Sequence, residues 1–415
     1  MTKSYKRWRT KIYRILNSDY SPVMLPYFKF KDGQGNIDYI HQLALSVHAR
    51  SKKTIILFTF LWPIIAMIKT SLSVYKYGSF VKKEYDISYL KQWTQIFYLA
   101  IRQNITPTSY YEFRLWNDSN RQKVNLYIQD HEIVVILPWL NKNKDISQFK
   151  DKTIFYYNCL NYGLPTIPIM ASFKKGNQVK WFCDGEEFPP QDIFIKNSEL
   201  WGGIGGEKWK YCANGKFWER NGKQLNHANL VKYCLFSSTK MPIIAQPLLK
   251  NHPKIEPFTN GSICTLRIVT YKLPQQSPMM LITALRMPVG NGEVDNFAHG
   301  GIASGVSATG ILSAAVEKKE NFRIFSNHPD TQHPLEGETF PFWEDALNLA
   351  LLAHKCFDLY YFIGWDIAVT PDGPLLVEGN GTWGVEVLQM PNAQPLGETH
   401  FVDIFSTAAK IENMS

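Results

Sequence analysis

The sequence holds no Cys-x-x-Cys pair and no cysteine–histidine set at zinc-ligand spacing, although it carries six cysteines, at 159, 183, 212, 234, 264 and 356. That argues against a finger-type zinc site or a paired-cysteine redox centre. The thiols read instead as free groups in a reducing compartment. No secretory signal is expected, because the first apolar run starts only after residue 53. That run, "TIILFTFLWPIIAMI" (54–68), has fifteen residues and contains Pro63, whereas a spanning helix takes about 20 apolar residues. No Gly-Lys-Ser/Thr ending marks a P-loop. Internal repeats and low-complexity tracts are also missing, which excludes solenoids and biased-composition chains.

The chain has 415 residues, more than one simple core accommodates, so two or three lobes are expected. Its net charge of +9 favours anionic partners without choosing among nucleotide phosphates, acidic lipids, acidic sugars and nucleic acid. The amino-terminal "KSYKRWRTKIYRIL" mixes Lys3, Lys6, Arg7, Arg9, Lys11 and Arg14 with Trp8, Tyr13 and Leu16, as a basic interfacial helix does. With this arm in front of it, the 54–68 run reads either as a core helix or as an interfacial or re-entrant segment. No nucleic-acid recognition module accompanies the arm, so no nucleic-acid partner is expected.

Residues 1–105 read as a mostly helical region without a chemical motif. Beyond it, "VNLYI" (124–128) and "EIVVILPWL" (132–140) read as short strands, being β-branched and apolar. Residues 151–173 read as a helix, a Gly-Leu-Pro break and a strand. Strands and turns with one helix, "HANLVKYCLFS", fill 179–247. "SICTLRIVTYK" and "MMLITALRM" are strands, and "PFWEDALNLALLAHKCF" has apolar residues at helical spacing. "LYYFIGWDIAV" and "PLLVEGN" close the core as a hairpin. Interspersed helices with mostly antiparallel strands give an α+β fold class. The division expected is 1–105, 106–247 and 248–415.

The closing hairpin carries the chemistry. Pro371-Asp372-Gly373 reads as a three-residue loop with Gly373 in the left-handed region, pairing Thr370 with Pro374. Counting back, Asp366 falls opposite Glu378, and Asn380 shares the face of Glu378. Carboxylates placed about 5 Å apart repel unless one is protonated or a cation lies between them. Asp366, Glu378 and Asn380 offer three hard oxygens, a set that suits Mg²⁺. A solvated strand end and an acid/base pair are the other readings of these residues. Gly379, Gly381 and Gly384 read as room for a ligand.

Magnesium held so sparsely shares its shell with phosphates, so a phosphate cradle is sought. In "IFIKNSELWGGIGGEKW" (193–209), Lys196 ends a strand-like run before Gly202, Gly203, Gly205 and Gly206. Such a loop can turn backbone N–H groups toward an anion, or be an ordinary glycine hairpin. Arg267 and Arg286 alternate with apolar neighbours on adjacent strands, where they form surface ion pairs or reach phosphate. "VDNFAHGGIASGV" (294–306) reads as a ligand-facing loop containing Asn296 and His299, the latter either structural or catalytic.

These blocks, in this order, resemble the sugar-transfer associated family of the ATP-grasp superfamily over roughly residues 105–395. "IGWDIAVTPDGPLLVEGN", "SICTLRIVTY", "VDNFAHGGIASGV" and "HPDTQHPLEGETFPFWEDAL" carry the likeness. The resemblance implies ATP between two α+β lobes and Mg²⁺, two ions of it, on Asp366, Glu378 and Asn380. It implies ATP contacts from Lys152 and Lys196, a phosphate lid at 202–206, and adenine contacts from Gln246 and Leu248. Asn296 is implied as a nucleotide contact, and Arg267 and Arg286 as the catalytic cations. Gln246-Pro247 stands where many relatives have an acidic residue, and Asn197 where proline is usual. The implied reaction forms an acyl phosphate that an amine attacks, giving an amide. The implied substrates are an acidic sugar, free or lipid-linked, and an amine, in surface-polysaccharide synthesis. Peptide ligation, phosphoryl transfer to a hydroxyl, and a non-catalytic nucleotide-binding module are the rivals. The expected location is the cytoplasm, with peripheral contact at the inner membrane face.

Overall fold

The computed structural model describes residues 35–48, 52–145, 147–199, 205–259, 261–290, 297–318 and 322–414. The basic arm at 3–16 lies outside them. The chain forms two compact units, one of residues 1–142, 320–323 and 382–415, the other of 143–319 and 324–381.

The longer helices described in the amino-terminal part of the first unit are α1 (Asn36–His48), α2 (Lys52–Tyr85), α3 (Tyr89–Arg102) and α4 (Asp130–Leu140), with short helical turns at Ser109–Glu112 and Asp118–Gln122 between the last two. Helix α2 absorbs the apolar 54–68 run and continues well past it. Helix α4 corrects the strand expected at 132–140, and 124–126 is a single 3₁₀ turn rather than a strand. The reason lies at the helix start. Gln129 and Glu132 form a reciprocal capping box, with the Gln129 N–H donating to Glu132 Oε2 at 2.8 Å. Ile133, Ile136, Leu137 and Leu140, at helical spacing, are buried. Because the residues between them are also apolar, that spacing is invisible as a pattern.

The second unit carries the helices α5 (Lys152–Asn161), α6 (His227–Ser237) and α7 (Trp343–Cys356) and two seven-stranded sheets. One sheet is built from β1 (Ala171–Lys174), β2 (Gln178–Trp181), β3 (Ile193–Asn197), β4 (Glu207–Cys212), β5 (Phe217–Arg220), β6 (Lys223–Asn226) and β7 (Ile243–Pro247). Its order is β2-β1-β7-β3-β4-β5-β6. The other contains β8 (Thr265–Tyr271), β9 (Met279–Met287), β10 (Ile302–Val306), β11 (Leu312–Glu317), β12 (Ile324–Phe325), β13 (Phe362–Thr370) and β14 (Gly373–Asn380), in the order β12-β11-β10-β9-β8-β13-β14. Every strand pairing in both sheets is antiparallel, as the α+β reading requires. Two further helices, α8 (Glu386–Asn392) and α9 (Phe401–Met414), return to the first unit. Trp383, just before them, is buried against the ring of Phe401 and belongs to that unit's core.

The hairpin of β13 and β14 reaches the expected pairing by an unexpected route. At the turn Thr370 pairs with Gly373, not Pro374, and Ile367 pairs with Leu376. Val377 is then an extra residue, a β-bulge, after which Asp366 pairs with Glu378. Without the bulge Glu378 would pair with Trp365 and point into the core, since a one-residue slip reverses every side chain. Gly373 does adopt a positive φ of 108°, as read from the turn.

The core behind the hairpin is tied by one hydroxyl. Thr270 Oγ1 on β8 accepts from Trp365 Nε1 at 2.9 Å and meets His354 Nδ1 at 2.7 Å. His354 Nε2 faces the Tyr360 carbonyl at 3.0 Å, which can only accept, so Nδ1 is the acceptor for the threonine proton. Burial holds His354 down at about 4, neutral at physiological pH. Thr270→Val would leave Trp365 Nε1 and His354 Nδ1 without their partner in the core. A loss of about 1–3 kcal/mol is expected, measured by chemical denaturation.

Candidate active site

Strand pairing alone assembles the centre. Arg267 on β8 pairs with Asp366 on β13, and Asp366 pairs with Glu378 on β14, so the three form one row across adjacent strands. Paired residues share a face. Arg286 on β9 pairs with Thr265, on the same side of the sheet as Arg267. Arg267 grips Asp366 through both oxygens, Nε to Oδ1 at 2.5 Å and Nη2 to Oδ2 at 3.0 Å. Arg286 adds Nη2 to Oδ2 at 3.0 Å, and its guanidinium also donates to Thr265 Oγ1 at 2.6 and 3.0 Å. The arginines expected as surface ion pairs or phosphate contacts are thus buried or half-buried, and paired to the candidate metal ligand itself. Thr265 fixes Arg286 through the register of the consecutive strands β8 and β9, which shifts between Val269 and Thr270.

Lys152 comes from the other side, at the first position of α5 behind the Asp151 cap, with its backbone N–H on the Ser198 carbonyl at 3.0 Å. Its ammonium lies 3.8 Å from Glu378 Oε2. Lys196 is buried on β3, opposite Ile244 of β7. Gln246 lies two residues along β7, opposite Phe194, so Lys196, Phe194, Ile244 and Gln246 share one face. Gln246 Nε2 donates to the Ile167 carbonyl at 3.4 Å, and the Leu248 N–H to the Asp192 carbonyl at 3.0 Å. Asn380 Nδ2 stands 3.5 Å from Glu378 Oε1.

Burial resists the charge on Asp366, but Arg267 and Arg286 overcome it and hold the carboxyl down at about 2. Burial and the neighbouring Lys152 push Lys196 down to about 8, against the pull of Glu378 and Asp366. Four cations surround two carboxylates, an excess of two positive charges at neutral pH, which calls for an anion.

Among the described residues no three His, Cys, Asp or Glu side chains are grouped to hold a metal. The set on the hairpin is two carboxylates and an amide, which fits Mg²⁺ in chemistry and in sharing a face. The chain's own arginines neutralise Asp366 here, so the fit requires a guanidinium to yield.

The glycines divide. Gly205 has φ +75° and Gly206 leads into β4, while Gly202 and Gly203 lie outside the described residues, as does Asn296. The side chain of His299 is likewise outside them. Gly379 and Gly381 do not leave room for a ligand. A Cβ on Gly379 would meet Phe149 at 2.6 Å and Trp365 at 2.9 Å, and one on Gly381 would meet Tyr360 at 3.0 Å. Aromatic rings already fill that space. Gly384 has only the Asp130 carboxylate near it, at 3.8 Å.

A family model described as sugar-transfer associated ATP-grasp matches residues 136–401. The chain belongs to that family. No match was found among curated proteins. Similar solved structures include the D-alanyl-alanine synthetase A of Vibrio cholerae O1 biovar eltor, at 11% identity and TM-score 0.38, covering 65% of this chain and 66% of that one. The L-amino acid ligase of Bacillus licheniformis is similar at 9% identity and TM-score 0.35, covering 62% of this chain and 48% of that one. At such values they add no argument to the family match.

The lowered Lys196 gives this ATP-grasp site a pH signature. Below about 8 its amine is charged, and above that it is increasingly neutral. Affinity for a non-hydrolysable ATP analogue is expected to fall above pH 8 by up to about tenfold per unit. Titration calorimetry on the wild type and on Lys196→Met, which should lose the dependence, checks it.

Proposed function

We propose that this chain is an ATP- and Mg²⁺-dependent carboxylate–amine ligase that amidates a uronic-acid sugar, or a related acidic glycan precursor, in surface-polysaccharide synthesis. The observation that carries it is the row Arg267–Asp366–Glu378, flanked by Lys152, Lys196 and Arg286. Such a cluster suits a reaction whose difficulty is negative charge on a transferred phosphoryl group.

In this reading Asp366, Glu378 and Asn380 would hold Mg²⁺, whose charge would offset that of the phosphate oxygens. Lys152 and Lys196 bind the nucleotide phosphates. Arg286 and Arg267 face the γ-phosphoryl group as it moves to the substrate carboxylate, and Arg267 must loosen its grip on Asp366 to do so. The acyl phosphate carbonyl is then attacked by the amine, the carbon–oxygen bond to phosphate breaks, and the ammonium proton leaves to solvent or phosphate. Gln246 and Leu248 line the adenine side with Phe194.

The division at 105 and 247 belongs to the same proposal. Its second boundary falls between β7, the last strand of one sheet, and β8, the first of the other. The proposed location is the cytoplasm, at the inner membrane face, where a lipid-linked acidic sugar would meet the site. The family's association with sugar transfer supports the substrate class.

A turnover screen across acidic sugars and amines tests the reading. Phosphate release should require both partners, and mass spectrometry should show an amide. Release indifferent to the pair, or a phosphate ester as product, would overturn it. Glu378→Gln should lower turnover by at least about 100-fold while circular dichroism is unchanged. Retained turnover removes the metal assignment.

A further inference from the structure

The buried face of helix α2 is made of Trp62, Ala66, Thr70, Ser73, Val74 and Val81, with Trp62 Nε1 donating to the Ala100 carbonyl of α3 at 2.9 Å. Farther along, the backbone of Gly78 lies so close to α3 that a Cβ there would meet Gln92 and Tyr89 at 3.1 Å. The outward face is bulkier and more apolar than the packed one: Ile56, Phe60, Ile64, Met67, Leu72 and Tyr75 are all exposed, Phe60 at 77% and Tyr75 at 90%. They recur every three to five residues, which makes one continuous stripe about 28 Å long at 1.5 Å per residue. Soluble monomers rarely leave such a surface to water.

Charge says what covers it. Residues 1–105 contain 17 Lys and Arg but only 5 Asp and Glu. That excess of 12 exceeds the +9 of the whole chain, so the remainder is net acidic and the basicity is confined to this region. Lys76, Lys82 and Lys83 on α2 are exposed, with only Glu84 as an acidic residue on the helix. Among the described residues no helix is long and apolar enough to cross a membrane. An apolar stripe fringed by cations, on a helix whose other face is packed against α3, matches an interfacial anchor.

We infer that α2 lies in the plane of an anionic bilayer surface, its Ile56–Tyr75 stripe in the headgroup–acyl boundary and its lysines on acidic lipid headgroups. This rests on the membrane placement proposed above and is independent of the ligase chemistry. A site bound in this way would meet a lipid-linked substrate by diffusion in two dimensions.

The full chain is sedimented with vesicles of phosphatidylcholine alone and of equimolar phosphatidylcholine and phosphatidylglycerol. Binding should be at least about tenfold stronger to the anionic vesicles and weaken with salt. The Phe60→Glu, Ile64→Glu, Leu72→Glu triple variant should lose at least about tenfold of that binding while ATP turnover is kept. As a check that needs no folding of the triple variant, Tyr75→Cys carrying an environment-sensitive dye, in a chain whose Cys183, Cys212 and Cys356 are replaced by serine, should shift to the blue on anionic vesicles only. No vesicle binding, binding indifferent to the triple variant, or no dye shift overturns the inference. Self-association in ultracentrifugation that the triple variant abolishes would also overturn it, by assigning the stripe to a second copy. Failure of the ligase reading alone would leave the vesicle results unchanged.

Discussion

A carboxylate at the depth of Asp366 cannot remain ionised without partners, and Arg267 and Arg286 supply three contacts to it. The surrounding sheet is arranged around that need. β8 brings Arg267 into register with Asp366, and β9 brings Arg286 alongside through Thr265. The opposite face of the same strands is pinned by Thr270, His354 and Trp365, so the row cannot shift without breaking the core. Removing one partner of such a group leaves a buried uncompensated charge, which costs far more than the pair contributes. The site is therefore also a structural element.

The charge pattern has a second side. Glu378 is less enclosed than Asp366 and has Lys152 rather than an arginine beside it. Lys196, with its depressed basicity, is the cation least content without an anion. An incoming polyphosphate would relieve the mutual repulsion of the lysines and compete with Asp366 for the arginines. Binding at such a centre is an exchange of partners more than a creation of new ones, so a small change in total contacts can accompany a large rearrangement of side chains.

How much of this could be read in advance depended on distance along the chain. The Asp366–Glu378 pairing is legible because a short hairpin with a Pro-Asp-Gly turn constrains it locally. Even so, the count at the turn was wrong by one, and the bulge at Val377 restored it. The arginines were legible as residues of interest but not as partners of Asp366, because β8 and β13 are nearly a hundred residues apart. The strand reading of 132–140 failed where a uniformly apolar run hides its period, though the Gln129/Glu132 box was present in the sequence. Gly379 and Gly381 were read as space, yet Phe149, Trp365 and Tyr360 occupy it, and no local pattern announces a ring arriving from elsewhere.

Val377 bears on how this strand tolerates change in length. A residue added or lost in the turn before Leu376 shifts only the loop, and the sheet beyond it can keep its pairing. Between Leu376 and Glu378 the count is fixed, because its parity decides which face receives the acidic side chains. Related chains should therefore differ freely in the size of that turn and hardly at all in the spacing that follows it. A gap there would mark a chain that has kept the fold and given up the chemistry.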